Sequence, residues 1–523
     1  MRKKAPWKIV FAAVFLLMLL GEVLAMAAVV RLDMLPDIYL VALGGVFVLL
    51  SLNTYRLLFA KGKGNGKGRK IVACVLAVLI LCGSVVIATV ASDVIKTLQA
   101  TREEARGVPV RAVYVLKDNS AQTLEDSAGF TYGYVKNYDE SCTRQALDAV
   151  ARYTDGNLST AGFTNAFSMA RALLENRIDA IVLNGGYISI LEDSEEFEEF
   201  SRYVKVLAVI EVDGSLTLTQ DSDTPAQEKL PETATESDLT EPTQPVNGKV
   251  DYDSLAPFLV YVSGSDSYDS EIIMNSRSDV HILAAVNPLT KQVLLINTPR
   301  DYYVANTGGG GELDKLTHCG IYGTNCSMKT LGNLSDAQID YYVRINFTGF
   351  KKLIDAVGGI TVYSDYAFTA ITRTPIKEGE NQLTGQQALD FARERYTLKG
   401  GDNERGKHQM QVITAVIEKA TTGTTILSNY SDIVASVECM FSMDLPADLI
   451  GNLMKMQLSE MARWNVVSYA VTGTESMEEC YSVPGMKLSV IKPNQHSVSK
   501  ATRLIDMVYA GELLTEEVVN SII

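Results

Sequence analysis

The residues best equipped for chemistry gather in the second half of the chain. Phe391 to Gln409 read FARERYTLKGGDNERGKHQ, which sets Arg393, Arg395, Asp402, Arg405, His408 and Gln409 within nineteen residues. Arginine carries a planar fork of donors that grips phosphate oxygens bidentately, so such a cluster can act as a phosphate clamp. Upstream, Asp266 stands in VSGSDSYD, Arg277 and Asp279 in RSDVHIL, and Arg300 and Asp301 in NTPRDYYV. Two carboxylates such as Asp266 and Asp279 suit a hard cation like Mg²⁺, which keeps its waters and shares phosphate oxygens with the protein. Arg300, Arg393, Arg395 and Arg405 around that metal would neutralise a diphosphate, and the combination points to phosphoryl transfer. Taken singly, each residue has a plainer use. Asp279 can pair with Arg277, Asp301 with Arg300, and the Arg393–Arg395 run can be a solvated helix end, with His408 and Gln409 ordinary polar positions on a helix; composition alone favours that use.

These residues need elements to hold them. FLVYVSG, VHILAAVNP, QVLLINTPR, DYYVRINF and ITVYS read as strands, while FTGFKKLIDAVGG, GQQALDFARER and KHQMQVITAVIEKA carry apolar residues three and four apart, as helices do. The acids and arginines fall at the ends of these strands, where open α/β sheets bind ligands. The expected domain is α/β and spans 251–515. Before it, residues 97–212 alternate short β-rich runs with helical patterns, a smaller accessory α/β domain with no catalytic constellation. Between the two, residues 213–248 hold eight acidic residues, one Lys and no aromatic residue. Such a segment cannot bury enough apolar surface to offset its ordering entropy, so 213–250 is expected to be a flexible acidic linker.

The first 96 residues are of another kind. Stretches 9–30, 38–60 and 71–92 are each apolar over about the 20 residues that cross a bilayer, and three transmembrane helices are expected. Arg2, Lys3, Lys4 and Lys8 precede the first, and KGKGNGKGRK joins the second and third. Basic residues stay on the cytoplasmic side, so everything after residue 96 is expected outside the cell membrane. A cleaved signal peptide ending near Ala25–Ala28 fits less well, because its apolar stretch is too long and two more follow. Glu22, inside the first span, is read as lying in a helix contact or near an interface.

The formal net charge is -15 despite the basic membrane-proximal region. The outer part is therefore strongly acidic and offers no broad footprint for nucleic acid. Of seven cysteines, five lie outside the spans, and Cys319–Cys326 and Cys439–Cys480 are plausible pairs that spacing does not establish. His281, His318, His408 and His496 form no zinc-ligand spacing.

Four motifs occur in order: RSDVHILAAVNPLTKQVLLINTPRDYYV, DKLTHCGIYG, DYYVRINFTGFKKLIDAVGGITV and LTGQQALDFARERYTLKGGDNERGKHQ. Across residues 258–420 they resemble the LytR-CpsA-Psr family. The three spans, accessory domain and linker look like that family's capsule-associated branch. The resemblance implies a phosphotransferase that moves a glycopolymer, capsular polysaccharide or a related cell-wall polymer, from a polyprenyl-diphosphate carrier to peptidoglycan on the outer face of the membrane. It implies that Asp266 and Asp279 hold Mg²⁺, that Arg277, Arg300, Lys315, Arg393, Arg395, Arg405 and Gln409 surround the diphosphate, and that Asp402 orients the arginines or helps deprotonate the acceptor. Tyr268 stands where many members carry Arg, and His408 where a second Arg is common. A non-catalytic lipid-diphosphate receptor and a lipid-diphosphate hydrolase are the rival readings.

Overall fold

Three long helices take up the first hundred residues, and two α/β units follow. The computed structural model describes residues 6–59, 67–104, 110–136, 140–154, 158–192, 194–211, 216–217, 255–265, 276–398, 401–422 and 441–522. Helix α1 (Pro6–Leu32) opens on a proline, whose fixed φ suits a first turn. Helices α2 (Asp37–Phe59) and α3 (Lys67–Glu104) complete the bundle, and all three are long and apolar enough to cross a membrane. Helix α3 runs on well past the expected end at 92. Gly21 lets α1 approach α3 closely, since a Cβ there would lie 2.6 Å from Leu81 Cδ1. Glu22 is buried between helices, with Ser51 Oγ donating to its carboxylate at 2.6 Å, so it does lie in a helix contact.

The accessory unit is one six-stranded sheet in the order β3-β2-β4-β1-β5-β6. Its strands are β1 (Val110–Leu116), β2 (Thr131–Val135), β3 (Ser159–Phe163), β4 (Ala180–Leu183), β5 (Val204–Glu211) and β6 (Leu216–Thr217). Successive strand residues face opposite sides. Val113 and Val115 thus pack on helix α4 (Glu140–Tyr153), while Ala112 and Tyr114 pack on helix α5 (Ala166–Leu174). Strand β6 falls inside the stretch read as linker, because SLTLT alternates well enough to add a short edge. The rest of that linker, 213–215 and 218–250, lies outside the described residues.

The larger unit has a mixed sheet in the order β11-β10-β7-β8-β9-β12. Strands β7 (Phe258–Ser265), β8 (Val280–Asn287) and β9 (Gln292–Asn297) run antiparallel to their neighbours in this trio. Strand β10 (Tyr341–Asn346) lies parallel to β7, β11 (Phe441–Met443) antiparallel to β10, and β12 (Asn465–Ala470) parallel to β9. The central strands read as continuous apolar runs because both faces are covered. Leu283, Leu294 and Ile296 meet Leu504, Ile505 and Val508 on one side, and Ile282, Val293 and Leu295 share a core with Met410 and Met456 on the other. ITVYS is a strand as expected, but it pairs with Gly379–Leu383 in a separate two-stranded ribbon. Packing continues past the expected boundary at 515, where Val519 joins the core. Cys319 and Cys326 are buried free thiols rather than a disulfide, with Gly308 N–H donating to Cys326 Sγ at 3.2 Å; Cys480 is also free, and Cys439 lies outside the described residues.

The units touch one another. Asn184 Nδ2 of the accessory domain donates to the Ile321 carbonyl at 2.6 Å. The loop after α1 reaches helix α9 (Ala447–Glu460), where Lys455 Nζ lies 2.8 Å from Asp33 Oδ2.

Candidate active site

The antiparallel trio brings the end of β7, the start of β8 and the end of β9 to one edge of the sheet, and parallel β10 ends there too. Register pairs Gly264 with Val280, Ile282 with Asn297, and Asn346 with Ser265. A cavity of about 310 Å³ opens at this edge. Ser263, Gly264 and Ser265 form part of its wall, with Asp279 from the start of β8 and Arg300 just after β9.

Three helices close it. Asn346 caps α6 (Phe347–Ala356) by accepting the Gly349 N–H, which sets Phe347 and Phe350 at the cavity. Thr384 and Gln387 form a capping box at the start of α7 (Gly385–Arg393), which contributes Leu389, Ala392 and Arg393. Helix α8 (Gly401–Thr421) starts at Gly401, earlier than its apolar pattern suggests, so GDNERG is helical rather than a connecting loop. Its Arg405, Gln409, Val412 and Ile413 fall four, seven and eight residues apart and therefore share one face. That face is polar at its start and apolar further on. The cavity thus has a guanidinium-rich side and an apolar side.

Asp279 is the carboxylate of this wall. Arg300 Nη1 donates to its Oδ1 at 2.9 Å, and Thr317 Oγ1 approaches the same oxygen at 3.5 Å. Burial pushes its pKa up, but Arg300, Arg277 and Arg405 outweigh that and hold it below the usual carboxylate value. Arg393 lies over the Phe347 ring at 4.2 Å, and Arg395 donates to Tyr396 Oη at 2.7 Å while its guanidinium lies 4.6 Å from that ring's centroid.

Asp279, Arg300, Arg393, Arg395, Arg405 and Gln409 therefore meet around one space. Arg277 is not in the wall, although its charge acts on Asp279. Lys315 stands behind it: its ammonium is 3.0 Å from Asp301 Oδ1, and Asp301 in turn lies 3.8 Å from Arg300 Nε. Asp402 falls in the first turn of α8, its side chain outside the description, and Asp266 lies outside the described residues. His408 turns away from the cavity, stacking on Phe391 at 4.0 Å and hydrogen-bonding the Phe391 carbonyl, with burial holding its pKa down.

Glu394 escaped the sequence reading. Between two arginines it looks like surface charge, yet it is 2 % exposed. Helix α7 stops here because Glu394 turns extended, with ψ 133°. One carboxylate oxygen then accepts the N–H groups of Arg395, Tyr396 and Thr397 at 2.9, 2.8 and 3.0 Å, and the other accepts that of Ile371 at 2.6 Å. Burial alone would raise its pKa; these four donors lower it. The small residues of VSGS and the FTGF pair are the only sequence signals for the rest of the wall.

The LytR_cpsA_psr family model matches residues 222–499. A polyisoprenyl-teichoic acid–peptidoglycan teichoic acid transferase TagU from Enterococcus faecalis is 35 % identical over 201 residues, covering 38 % of this chain and 65 % of its own length. The Bacillus subtilis TagU is 32 % identical over 220 residues, covering 42 % and 69 %. The chain thus spans just under two thirds of the Enterococcus protein's length. The crystal structure of B. subtilis TagU aligns with 50 % of this chain and 100 % of its own at 26 % identity and a TM-score of 0.39. That of B. subtilis TagV covers 50 % and 99 % at 23 % and 0.41.

Proposed function

The chain belongs to the LytR-CpsA-Psr family, and we propose that it transfers a glycopolymer from a polyprenyl-diphosphate carrier to peptidoglycan at the outer face of the membrane. The observation that carries this reading is one cavity that joins guanidinium groups on one side to apolar helix faces on the other. A diphosphate joined to a hydrocarbon tail has that same division. The TagU relatives are polyisoprenyl-teichoic acid–peptidoglycan teichoic acid transferases, whose polyisoprenyl-linked substrate accords with this reading. The glycopolymer here is a capsular polysaccharide or a related cell-wall polymer.

In this reading Arg300, Arg393, Arg395 and Arg405 grip the diphosphate, with Gln409 beside them, while Phe347, Phe350, Val412 and Ile413 receive the first isoprene units. Each buried methylene contributes about 0.8 kcal/mol, so a few units give firm retention. A sugar hydroxyl of peptidoglycan attacks the phosphorus next to the glycan. A new phosphodiester P–O bond forms, the bond to the bridging oxygen breaks, and polyprenyl phosphate leaves. Asp279 or Asp402 takes the hydroxyl proton. The arginines are already in place to spread the negative charge that develops. Asp279 offers a hard oxygen donor at the wall, and both of its described hydrogen bonds go to Oδ1, which fits Mg²⁺ shared with phosphate oxygens and water; Asp266 would be the second ligand. Bound there, Mg²⁺ would neutralise phosphate charge.

The test uses the purified full chain, a short-chain polyprenyl-diphosphate saccharide and peptidoglycan. The expected products are a saccharide–peptidoglycan phosphodiester and polyprenyl phosphate. Binding without turnover would make the protein a receptor, and release of phosphorylated saccharide to water would make it a hydrolase.

A further inference from the structure

We infer that Arg344, buried beneath the cavity, is a positioning residue that fixes the segment Ser276–Asp279 and thereby aims Asp279 at the diphosphate. The inference rests on the transfer reaction proposed above.

Arg344 sits in the middle of β10 and is 0 % exposed, the largest fully buried side chain among the described residues. Guanidinium stays charged at any physiological pH, and burying that charge is costly. Filling the same volume with an apolar side chain would serve packing better, so the contacts of Arg344 need another reason. Those to the described residues fall on two places. Nη1 donates to Ser263 Oγ at 3.0 Å, directly across the β10–β7 register. Nη2 donates to the Ser276 carbonyl at 2.8 Å and to Ser276 Oγ at 2.7 Å, with the Arg277 carbonyl at 3.4 Å.

One side chain therefore ties the cavity wall at Ser263 to the backbone that delivers Arg277 and Asp279. Secondary bonds tighten the same joint: Ser263 Oγ and Ser278 Oγ are 2.5 Å apart, Ser265 Oγ and Ser276 Oγ 3.1 Å. Asp279 N–H then donates to the Gly264 carbonyl at 2.8 Å, which fixes where its carboxylate begins. Gly320 packs closely on the same segment, where a Cβ would lie 2.5 Å from the Ser276 carbonyl oxygen and 2.9 Å from Ser278 N. Ser276–Ser278 is thus contacted by a guanidinium fork and by a residue that can have no side chain there. A lysine in place of Arg344 keeps the charge but is a point donor, unable to span Ser263 and Ser276 together.

A double-mutant cycle tests this on the full chain. R344K should melt within a few degrees of wild type and keep the KM for the saccharide donor within about threefold, because Arg393, Arg395 and Arg405 are untouched. Its kcat should fall roughly 10–100-fold; because D279A abolishes turnover, the coupling to that carboxylate is read as non-additivity in metal-free diphosphate affinity. S276A, which deletes one acceptor and buries no new charge, should lower kcat about 3–10-fold with the same non-additivity; it stands in if R344K does not fold. Wild-type kcat in R344K would overturn the inference. If the wild type binds the donor but transfers nothing, the proposed reaction falls while Arg344 is still read through binding. D279A should change metal-free diphosphate affinity by roughly tenfold in the wild-type background and by less than threefold in R344K. An equal change in both would again reject Arg344 as the positioning group.

Discussion

Removing the Asp279 carboxylate should strengthen the metal-free hold on a diphosphate even as turnover is lost. Asp279 is an anion beside the guanidinium groups expected to meet phosphate, with Arg300 Nη1 2.9 Å from its Oδ1. In D279A that guanidinium is released to the ligand, and one like charge facing the phosphates disappears. A unit charge about 5–6 Å from another at an effective dielectric near 20 interacts by about 3 kcal/mol. The side chains are 21 % and 19 % exposed, so solvent screening lowers this to about 1–2 kcal/mol, roughly 5–30-fold in affinity. The assay is titration of wild type, D279A and R300A with a short-chain polyprenyl diphosphate in a chelator, repeated with Mg²⁺. D279A should bind more tightly than wild type in the chelator and R300A more weakly; Mg²⁺ should help wild type and leave D279A unchanged. Weaker metal-free binding by D279A would refute the reasoning, because Asp279 would then not face the phosphates.

Glu394 is expected to matter through its acceptors. E394A strands four N–H groups and should cost about 3 kcal/mol or more, whereas E394Q keeps one oxygen for the Arg395–Thr397 donors, opposes its amide to the Ile371 N–H and should cost about 1–3 kcal/mol; thermal melting ranks the two. Burial lowers the His281 pKa to about 3, while the unfolded chain takes up a proton near 6.5. Acid therefore favours unfolding by about 1.4 kcal/mol per pH unit below 6.5, fading only near pH 3, and H281Q should show a shallower fall in melting temperature between pH 7 and 5. Lys455 is 2 % exposed and paired with Asp33. D33N should destabilise the full chain by about 1–2 kcal/mol, given that Asp33 is partly solvated, while K455M should be near neutral, as melts in detergent would show.

The fold was legible where pattern and burial agree. The apolar runs of β7, β8 and β9 and the spacing of Gln409, Val412 and Ile413 follow directly from periodicity, and the strand-end rule placed Asp279 and Arg300 at the edge where the cavity opens. The ends of elements were less legible. The apolar pattern does not say that GDNERG joins a helix, nor that α7 stops at Arg393, where Glu394 turns extended and collects the N–H groups of the next three residues and of Ile371. Lys315 was expected around the diphosphate, yet a carboxylate one strand away at Asp301 captures its ammonium, a contact that only the folded register creates.

Strand β10 marks the limit most sharply. By alternation, YYVRIN should turn Tyr341, Val343 and Ile345 inward and leave Tyr342, Arg344 and Asn346 to solvent. The opposite holds: Tyr342, Arg344 and Asn346 are buried, and the apolar alternates are only half-buried. Tyr342 and Arg344 have partners supplied by distant segments, Ser442 for the first and Ser263 and Ser276 for the second, while Asn346 finds its own in the Gly349 N–H of the helix it caps. A polar residue can occupy the core only where such partners converge. Sequences depart from the local pattern at sites that require function more than packing. Here the departure lies beside the cavity wall, and the strand that turns its polar residues inward is also the one that joins Ser263 to the segment bearing Asp279.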